Sequence, residues 1–400
     1  MYSAKVPLLN VEIDNLSFQE LLQRLKSGGF VITPNVDHMV KLQRDPEFFH
    51  IYQQADYVIC DSQILVWASH LLGTPIREKI SGSDLFPAFY RYYGADPDEK
   101  LFLLGAGPGV AERARAKIND AVSREMVVAT YSPPFGFEQD AAECDKIVEL
   151  INQSDANVLA VGLGAPKQEK WIYHSRQRLP GIKTFLAIGA SIDFEAGNVR
   201  RSPQWMSVCG LEWLYRLKEN PKRLWRRYLI DSLPFLGWVL QQRFNRYRYH
   251  KPLALILHEA GLLSRAQVDQ VLAQQARLLQ QTPQQPPNAA QLLNQYDWLD
   301  PATIRFFATE LQPPRPQAHP APPQSSVLTL LQRAHLLNAE QCQTLQVESR
   351  LSSLLPEELA LQKQWLQPQT VKFFRQLHAL AKNPQDQRLA QLFFIRPHPL

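Results

Sequence analysis

The sequence predicts an α/β fold: a mostly parallel, Rossmann-like sheet with helices on both faces, followed by a basic helical appendage and an all-α C-terminal region. Three observations carry this expectation. Short β-branched apolar runs alternate with amphipathic stretches of helical length between residues 30 and 194, the pattern of strands covered on both sides by crossover helices. Residues 205–251 interleave aromatic and basic side chains at helical spacing. From Pro252 onward the chain carries 25 glutamines and 16 of its 30 prolines, which marks a separate region.

The expected strands are FVIT (30–33), YVIC (57–60), LFLLG (101–105), MVVATY (126–131), NVLAVG (157–162) and KTFLAIG (183–189). Each is short, rich in Val, Ile, Leu and Phe, and bounded by polar or glycine residues. Helices are expected between them at 36–54, 64–72, 108–121, 141–152 and 167–178. In the tail, AGLLSRAQVDQVL (260–272) resembles AHLLNAEQCQTLQ (334–346), and WLDPATIRFFATEL (298–311) resembles WLQPQTVKFFRQLH (365–378). Ser264 and Asn338 are placed to cap helices, and Pro301 and Pro368 to start them. Two copies of a small helical unit, with proline-rich linkers at 282–287 and 312–326, are the simplest reading.

At 400 residues the chain exceeds one ordinary domain. The division expected is a catalytic α/β domain at 1–200, a basic aromatic appendage at 201–251 and a helical repeat region at 252–400. Charge follows the same division: 19 basic and 25 acidic side chains in 1–199, 11 and 3 in 200–250, 13 and 10 in 251–400. A basic block in a near-neutral chain indicates a local anionic partner and argues against a general nucleic-acid binder. The four cysteines are scattered without a CxxC, so they read as reduced thiols. The N-terminus lacks a signal-peptide core, and the most apolar stretch, 228–240, is interrupted by Asp231 and Pro234. Neither export nor a membrane span is expected.

Ligands of an open parallel sheet bind beyond the carboxyl ends of its strands. Four clusters fall there: Thr33 to His38, Asp61-Ser62-Gln63, the glycine turn Gly105-Ala-Gly107-Pro-Gly109, and Gly162 to Glu169 with Gly164, Lys167 and Gln168. The glycine turn has Val110 where a dinucleotide fingerprint has its third glycine, and no acid ends the next strand at Tyr131. Nicotinamide chemistry is therefore disfavoured, while a diphosphate on the helix N-terminus is compatible. Asp61 directly follows an apolar strand and is a general-base candidate; the competing reading is a cap for the next helix. Gln168 and Lys167 open a helix after a glycine turn and are candidates to hold a sugar or phosphate. Asp96-Pro-Asp98 has the spacing of a metal-binding DxD but precedes a strand, and reads as a surface turn on the opposite edge. His38 is a further candidate catalytic group, whose competing and commoner reading is a structural histidine on a helix face; after Asp61 it and Asp37 are the next candidates for the base. The aromatic-basic stretch, with Arg223, Arg226, Arg227, Arg243 and Arg246, suits an interfacial helix on an anionic membrane.

The motifs TPNVDHMV, ADYVICDS, SGSDL, LLGAGPGVAE, GLGAPKQEKW, GASIDFEAG, RRSPQW and GLEWLYRLKENPKRLWRRY, in that order, resemble bacterial glycosyltransferase family 26 over residues 8–245. That family includes the N-acetylmannosaminyltransferases of wall teichoic acid and enterobacterial common antigen synthesis. The tail lies outside the resemblance; its repeats are similar to a helical module at the N-termini of secretion and pilus ATPases. The resemblance implies an inverting, metal-independent transfer of an N-acetylhexosamine-type sugar from a UDP donor to a polyprenyl-diphosphate-linked sugar, with no cofactor. It implies a peripheral enzyme at the cytoplasmic face of the cell membrane; the repeats and linkers of residues 252–400, outside the resemblance, suggest a separate helical appendage that contacts a protein partner. By the same resemblance Asp61 matches the base, Thr33 and Asn35 the polar pair beside it, and Gln168 the essential glutamine. Arg216, Arg223 and Arg226 or Arg227 match the arginines that close on the diphosphate. Lys79, Asp84, Gly105, Gly107, Gly164, Lys167 and Glu169 complete the expected substrate-binding set. Two positions depart from the family: Ser62 stands where Gly is common, and Lys79 where Arg is common, which exchanges a bidentate phosphate contact for a point charge. The readings that compete with a transferase are a non-catalytic adaptor and a nucleotide-dependent oxidoreductase.

Overall fold

The computed structural model describes residues 4–199, 201–203, 205–206, 209–219, 221–226, 230–244, 246–247, 251–281, 288–310 and 326–382. The chain forms two compact units, Met1–Tyr247 and Arg248–Leu400.

The first unit opens with an antiparallel hairpin, β1 (Lys5–Leu8) and β2 (Val11–Asp14), whose alternating residues Val6, Leu8, Val11 and Ile13 are buried. Ser17 and Glu20 form a reciprocal capping box that starts α1 (Phe18–Arg24). The main sheet then builds up from β3 (Gly29–Ile32), β4 (Tyr57–Val58), β5 (Leu101–Gly105), β6 (Val127–Tyr131), β7 (Val158–Gly162) and β8 (Thr184–Ala187). Its order is β4-β3-β8-β7-β5-β6 and every pairing is parallel. The apolar runs of the sequence thus become strands, the central β5, β7 and β8 almost wholly buried and the edge strand β6 partly so, and all carboxyl ends lie on one edge.

The connecting helices are α2 (Val36–Lys41), α3 (Pro46–Gln53), α4 (Gln63–Leu71), α5 (Gly82–Tyr92), α6 (Val110–Ala121), α7 (Ala141–Gln153), α8 (Lys167–Ser175) and α9 (Ser191–Ala196). The single helix expected over 36–54 is two. Asp45 accepts the Phe48 amide at 3.0 Å and Pro46 takes the first helical position, so the chain restarts there. Helix α5 was not expected, because Pro87 lies inside it. Its capping Ser81 and the packing of Leu85, Phe86, Phe89 and Tyr90 into the core outweigh the missing amide.

Beyond the sheet the first unit adds α10 (Glu212–Glu219), α11 (Pro221–Arg226) and α12 (Leu233–Arg243). Phe235 and Val239 of α12 are buried, and Gln242 bridges β1 by accepting from the Leu9 amide at 2.8 Å and donating to the Pro7 carbonyl at 3.2 Å. Tyr247 donates to Gln43 Oε1 at 2.7 Å.

The second unit contains α13 (Leu253–Glu259), α14 (Arg265–Gln281), α15 (Ala289–Asn294), α16 (Pro301–Arg305), α17 (Val327–Arg333), α18 (Ala339–Leu351), α19 (Pro356–Gln362) and α20 (Pro368–Lys382). Ser264 with Gln267 and Asn338 with Gln341 form matching capping boxes at equivalent positions of the repeats. The repeats interlock reciprocally. Thr303 of the first copy donates to the Ala334 carbonyl of the second at 2.8 Å, and Thr370 of the second donates to Ala260 of the first at 2.8 Å. Phe306 and Phe307 pack against Phe373 and Phe374, with centroids 5.7–6.3 Å apart. The linkers at 282–287 and all but Ser326 of 312–326 lie outside the described residues.

Candidate active site

The site is built at the carboxyl edge where β3 and β4 end. The backbone stays alongside β3 beyond β4: the Ile59 amide donates to Ile32 and the Asp61 amide to Pro34, each at 2.9 Å. Thr33 is buried, and a β-carbon on Gly82 of α5 would lie 3.5 Å from its hydroxyl, which places Thr33 against the start of that helix. Asn35 caps α2 through Oδ1, which accepts the His38 amide at 3.2 Å, and its side chain also hydrogen-bonds Asp61.

Asp61 is not the cap of α4. That position belongs to Ser62, whose side chain makes no capping bond and whose φ of −122° is extended backbone open to any residue, so Ser for Gly leaves this turn unchanged. Part of Asp61 remains accessible, yet the protein around it strips enough water to push its carboxyl up to about 7. The charge of Glu212 adds to the rise, while Arg216, Lys79 and the Asn35 hydrogen bond oppose it. A carboxylate with that affinity for protons is matched to a general base near neutral pH.

Beside it, Ser81 caps α5, donates to Asp84 Oδ2 at 2.6 Å and accepts the Asp84 amide at 3.2 Å. Burial opposes charge on Asp84, but Ser81 and the ion-paired Arg201 outweigh it and hold the carboxyl below its ordinary range. Arg201 also donates to Ser83 at 3.2 Å. Arg201 and Arg216 lie 6.0 and 5.7 Å from the ring of Phe194, so two guanidiniums gather on one aromatic side chain.

Gly105 serves close approach to the neighbouring strand. A β-carbon on Gly105, at φ 116°, would meet the Gly162 carbonyl at 2.5 Å. Ser132 donates to the carbonyls of Gly105 and Gly107, each at 3.2 Å, and pins the following loop to the glycine turn. Gly164, at φ 78°, precedes the cis Ala165–Pro166 bond and α8. Gln168 is 3% exposed: its Oε1 accepts the amides of Gly164 at 3.2 Å and Gly189 at 3.1 Å, and its Nε2 donates to Glu169 at 2.8 Å. Both polar atoms of its amide group are thus engaged: Oε1 ties the β7 and β8 loops together, and Nε2 holds the neighbouring Glu169. Glu169 is fully buried, Oε2 has no hydrogen-bond partner, and burial pushes its carboxyl up to about 7. Lys167 faces the loop after β6, paired with Glu138 at 2.7 Å and 5.1 Å from the ring of Phe135, an entirely exposed side chain.

The structure therefore gathers Thr33, Asn35, Asp61, Lys79, Asp84 and Arg216, while Lys167 and the Gly105 and Gly107 turn lie toward β7 and β5. Arg223 is in α11 with its side chain outside the described residues, as is all of Arg227; Arg226 is exposed and 3.9 Å from Asp231. His38 is buried and bonded to the Tyr52 hydroxyl at 2.6 Å, and Asp37 pairs with Lys41 at 2.8 Å. Asp96 pairs with Lys26 and accepts the Asp98 amide at 3.1 Å, forming a turn before β5 on the opposite edge. Sequence reasoning did not single out Glu212 or Arg201; both sat inside motifs, GLEWLYRL and RRSPQW, but only their place in the fold gives them Asp61 and Asp84 as neighbours.

Residues 6–249 match the family model described as the glycosyl transferase WecG/TagA/CpsF family. Among curated proteins, the N-acetylglucosaminyldiphosphoundecaprenol N-acetyl-beta-D-mannosaminyltransferase of Bacillus spizizenii is 32% identical over 211 residues, 52% of this chain and 76% of that protein. The proteins of the same name from Bacillus subtilis and Staphylococcus aureus (strain MRSA252) are 28% and 26% identical, over 62% of this chain and 94% and 97% of their own lengths.

Proposed function

The chain belongs to the WecG/TagA/CpsF family of glycosyltransferases, and from that premise we propose that it moves an N-acetylhexosamine-type sugar, N-acetylmannosamine or a close relative, from UDP to a polyprenyl-diphosphate-linked sugar. The relatives' name specifies such an acceptor and such a sugar. The observation that carries the reading is Asp61, a carboxylate pushed up to about 7 beside Asn35, Lys79 and Arg216 at the carboxyl edge of the sheet.

In the proposed step Asp61 takes the proton of the acceptor hydroxyl as its oxygen attacks the anomeric carbon, and the bond from that carbon to the UDP oxygen breaks. A single displacement of this kind inverts the anomeric centre. The charge growing on UDP is met by Lys79 and Arg216, with the other arginines of 201–247 available as the diphosphate settles; protein cations in that role make a metal unnecessary. Gln168 fixes the loops around the donor rather than exchanging a proton. Phe135, held out at the tip of a turn beside Lys167, is the surface on which the nucleobase stacks.

A polyprenyl acceptor is reached at the membrane. No helix among the described residues is long and apolar enough to cross one. Helix α12, however, turns Leu233, Leu236 and Leu240 outward, and Phe244 follows them on the same side. At spacings of three and four residues these form one exposed apolar stripe, flanked by Arg243 and Arg246, which supports peripheral attachment to the anionic inner face. Incubating the purified protein with a panel of UDP-sugars, a lipid-diphosphate N-acetylglucosamine acceptor and a chelator tests the reading. Transfer with an inverted product is expected; no transfer from any UDP-sugar, or transfer only after Mn²⁺ or Mg²⁺ is restored, contradicts it.

A further inference from the structure

Glu212 is the first residue of α10, and the turn before it is seated on the helix that follows Asp61. A β-carbon on Gly210 would lie 2.8 Å from the Trp67 ring and 3.4 Å from Gln63, both on α4. That packing plants Glu212 over the start of α4, in the electrostatic field of Asp61, with its carboxylate paired to Arg216 one helical turn along. Asp61 thus faces a second carboxylate, Glu212, and the cations Lys79 and Arg216. One of the cations is the guanidinium that a departing diphosphate needs.

We propose that Glu212 is a positioning residue of the active site, which holds Arg216 in an ion pair beside Asp61 and releases it to the donor diphosphate. The inference rests on the UDP-sugar reading above. A carboxylate and a diphosphate compete for the same fork of donors, and the diphosphate carries more charge. Once Arg216 turns to the donor, the negative charge of Glu212 is left facing Asp61 with less compensation. Asp61 then binds a proton more strongly when the donor is in place, which couples donor binding to base strength.

The groups acting on Asp61 are Glu212 and Arg216 from α10, Lys79 from the segment before α5, and Asn35 from the β3 loop, with Tyr52 of α3 and Cys60 also within its field. Among these groups, Glu212 is the acid whose charge raises the proton affinity of Asp61. Removing that charge lowers the pH at which Asp61 titrates, so the acid limb of kcat/KM moves to lower pH.

Calorimetry with UDP and pH–rate profiles of Glu212→Gln and Glu212→Asp, with circular dichroism as the fold control, test the proposal. Glu212→Gln keeps a hydrogen-bonding oxygen without the charge; it is expected to bind UDP several-fold tighter than the parent and to shift the acid limb downward, while Glu212→Asp keeps the parent's limb. A folded Glu212→Gln with parental UDP affinity and an unmoved limb overturns the proposal and leaves the UDP-sugar reading intact. Absence of UDP binding by the parent overturns both. If Glu212→Gln fails to fold, Glu212→Asp decides: a limb displaced as far as one pH unit means the residue acts through shape and not charge, and overturns the proposal.

Discussion

At the scale of single residues, two buried or half-buried carboxylates hold protons unusually tightly, and the consequence differs for each. Glu169 takes up its proton at about 7 in the folded chain, against about 4.3 for a free glutamate side chain. Between those values the native state binds more protons than the unfolded one, so this group lowers stability as pH rises through the window. Glu169→Gln, which keeps the oxygen that accepts from Gln168, is therefore expected to melt higher than the parent at pH 8, by on the order of 1–3 kcal/mol, and equally at pH 4. Melting curves at the two pH values check it. Gln168→Ala strands the amides of Gly164 and Gly189 and should cost about 1–3 kcal/mol together with most of the turnover. Motif and position pointed to Asp61 and Gln168 as candidates. What the Gln168 side chain holds together was not legible, because the amide of Gly189 reaches it only through the β7–β8 pairing.

At the scale of elements, the shortness of the apolar runs, their β-branched content and their polar or glycine bounds located the six strands of the main sheet, since strands of a parallel sheet read as nearly continuous apolar runs. These signals did less well where local chemistry and packing disagree. Pro87 concealed α5, and Asp45-Pro46 divided one apparent helix into two. The hairpin β1–β2 is four residues a strand and offers too little alternation to stand out. The repeats were legible as repeats, whereas their interlocking was not, because it joins residues more than 30 positions apart. That interlocking carries a prediction: Phe307 and Phe374 are fully buried at the contact between the copies. Phe374→Ala should destabilise the whole second unit by about 3–5 kcal/mol, lowering protection of amides in α13 and α16 as much as in α20. Hydrogen exchange confined to the second copy would contradict this.

At the scale of the whole molecule, the charge division of the sequence acquires a structural meaning. The basic stretch is part of the first compact unit, with α12 anchored on β1 through Gln242 and its leucines facing outward. Anionic vesicles should bind the protein more tightly than neutral ones, and added salt should weaken the difference, since each surface cation contributes about 1 kcal/mol that a shorter Debye length removes. A chain ending after Tyr247 should keep measurable turnover, because the sheet, α10 and α12 all lie in the first unit. Loss of all turnover in a folded truncation would make the repeats part of the catalytic machinery. The most direct test of the account remains Asp61→Asn, assayed at saturating UDP-sugar and lipid acceptor, with UDP binding measured on the same preparation. Asparagine retains the shape and loses the basicity, so folding and UDP binding should persist while turnover falls at least about a hundredfold; turnover within a few-fold of the parent would show that Asp61 is not the base.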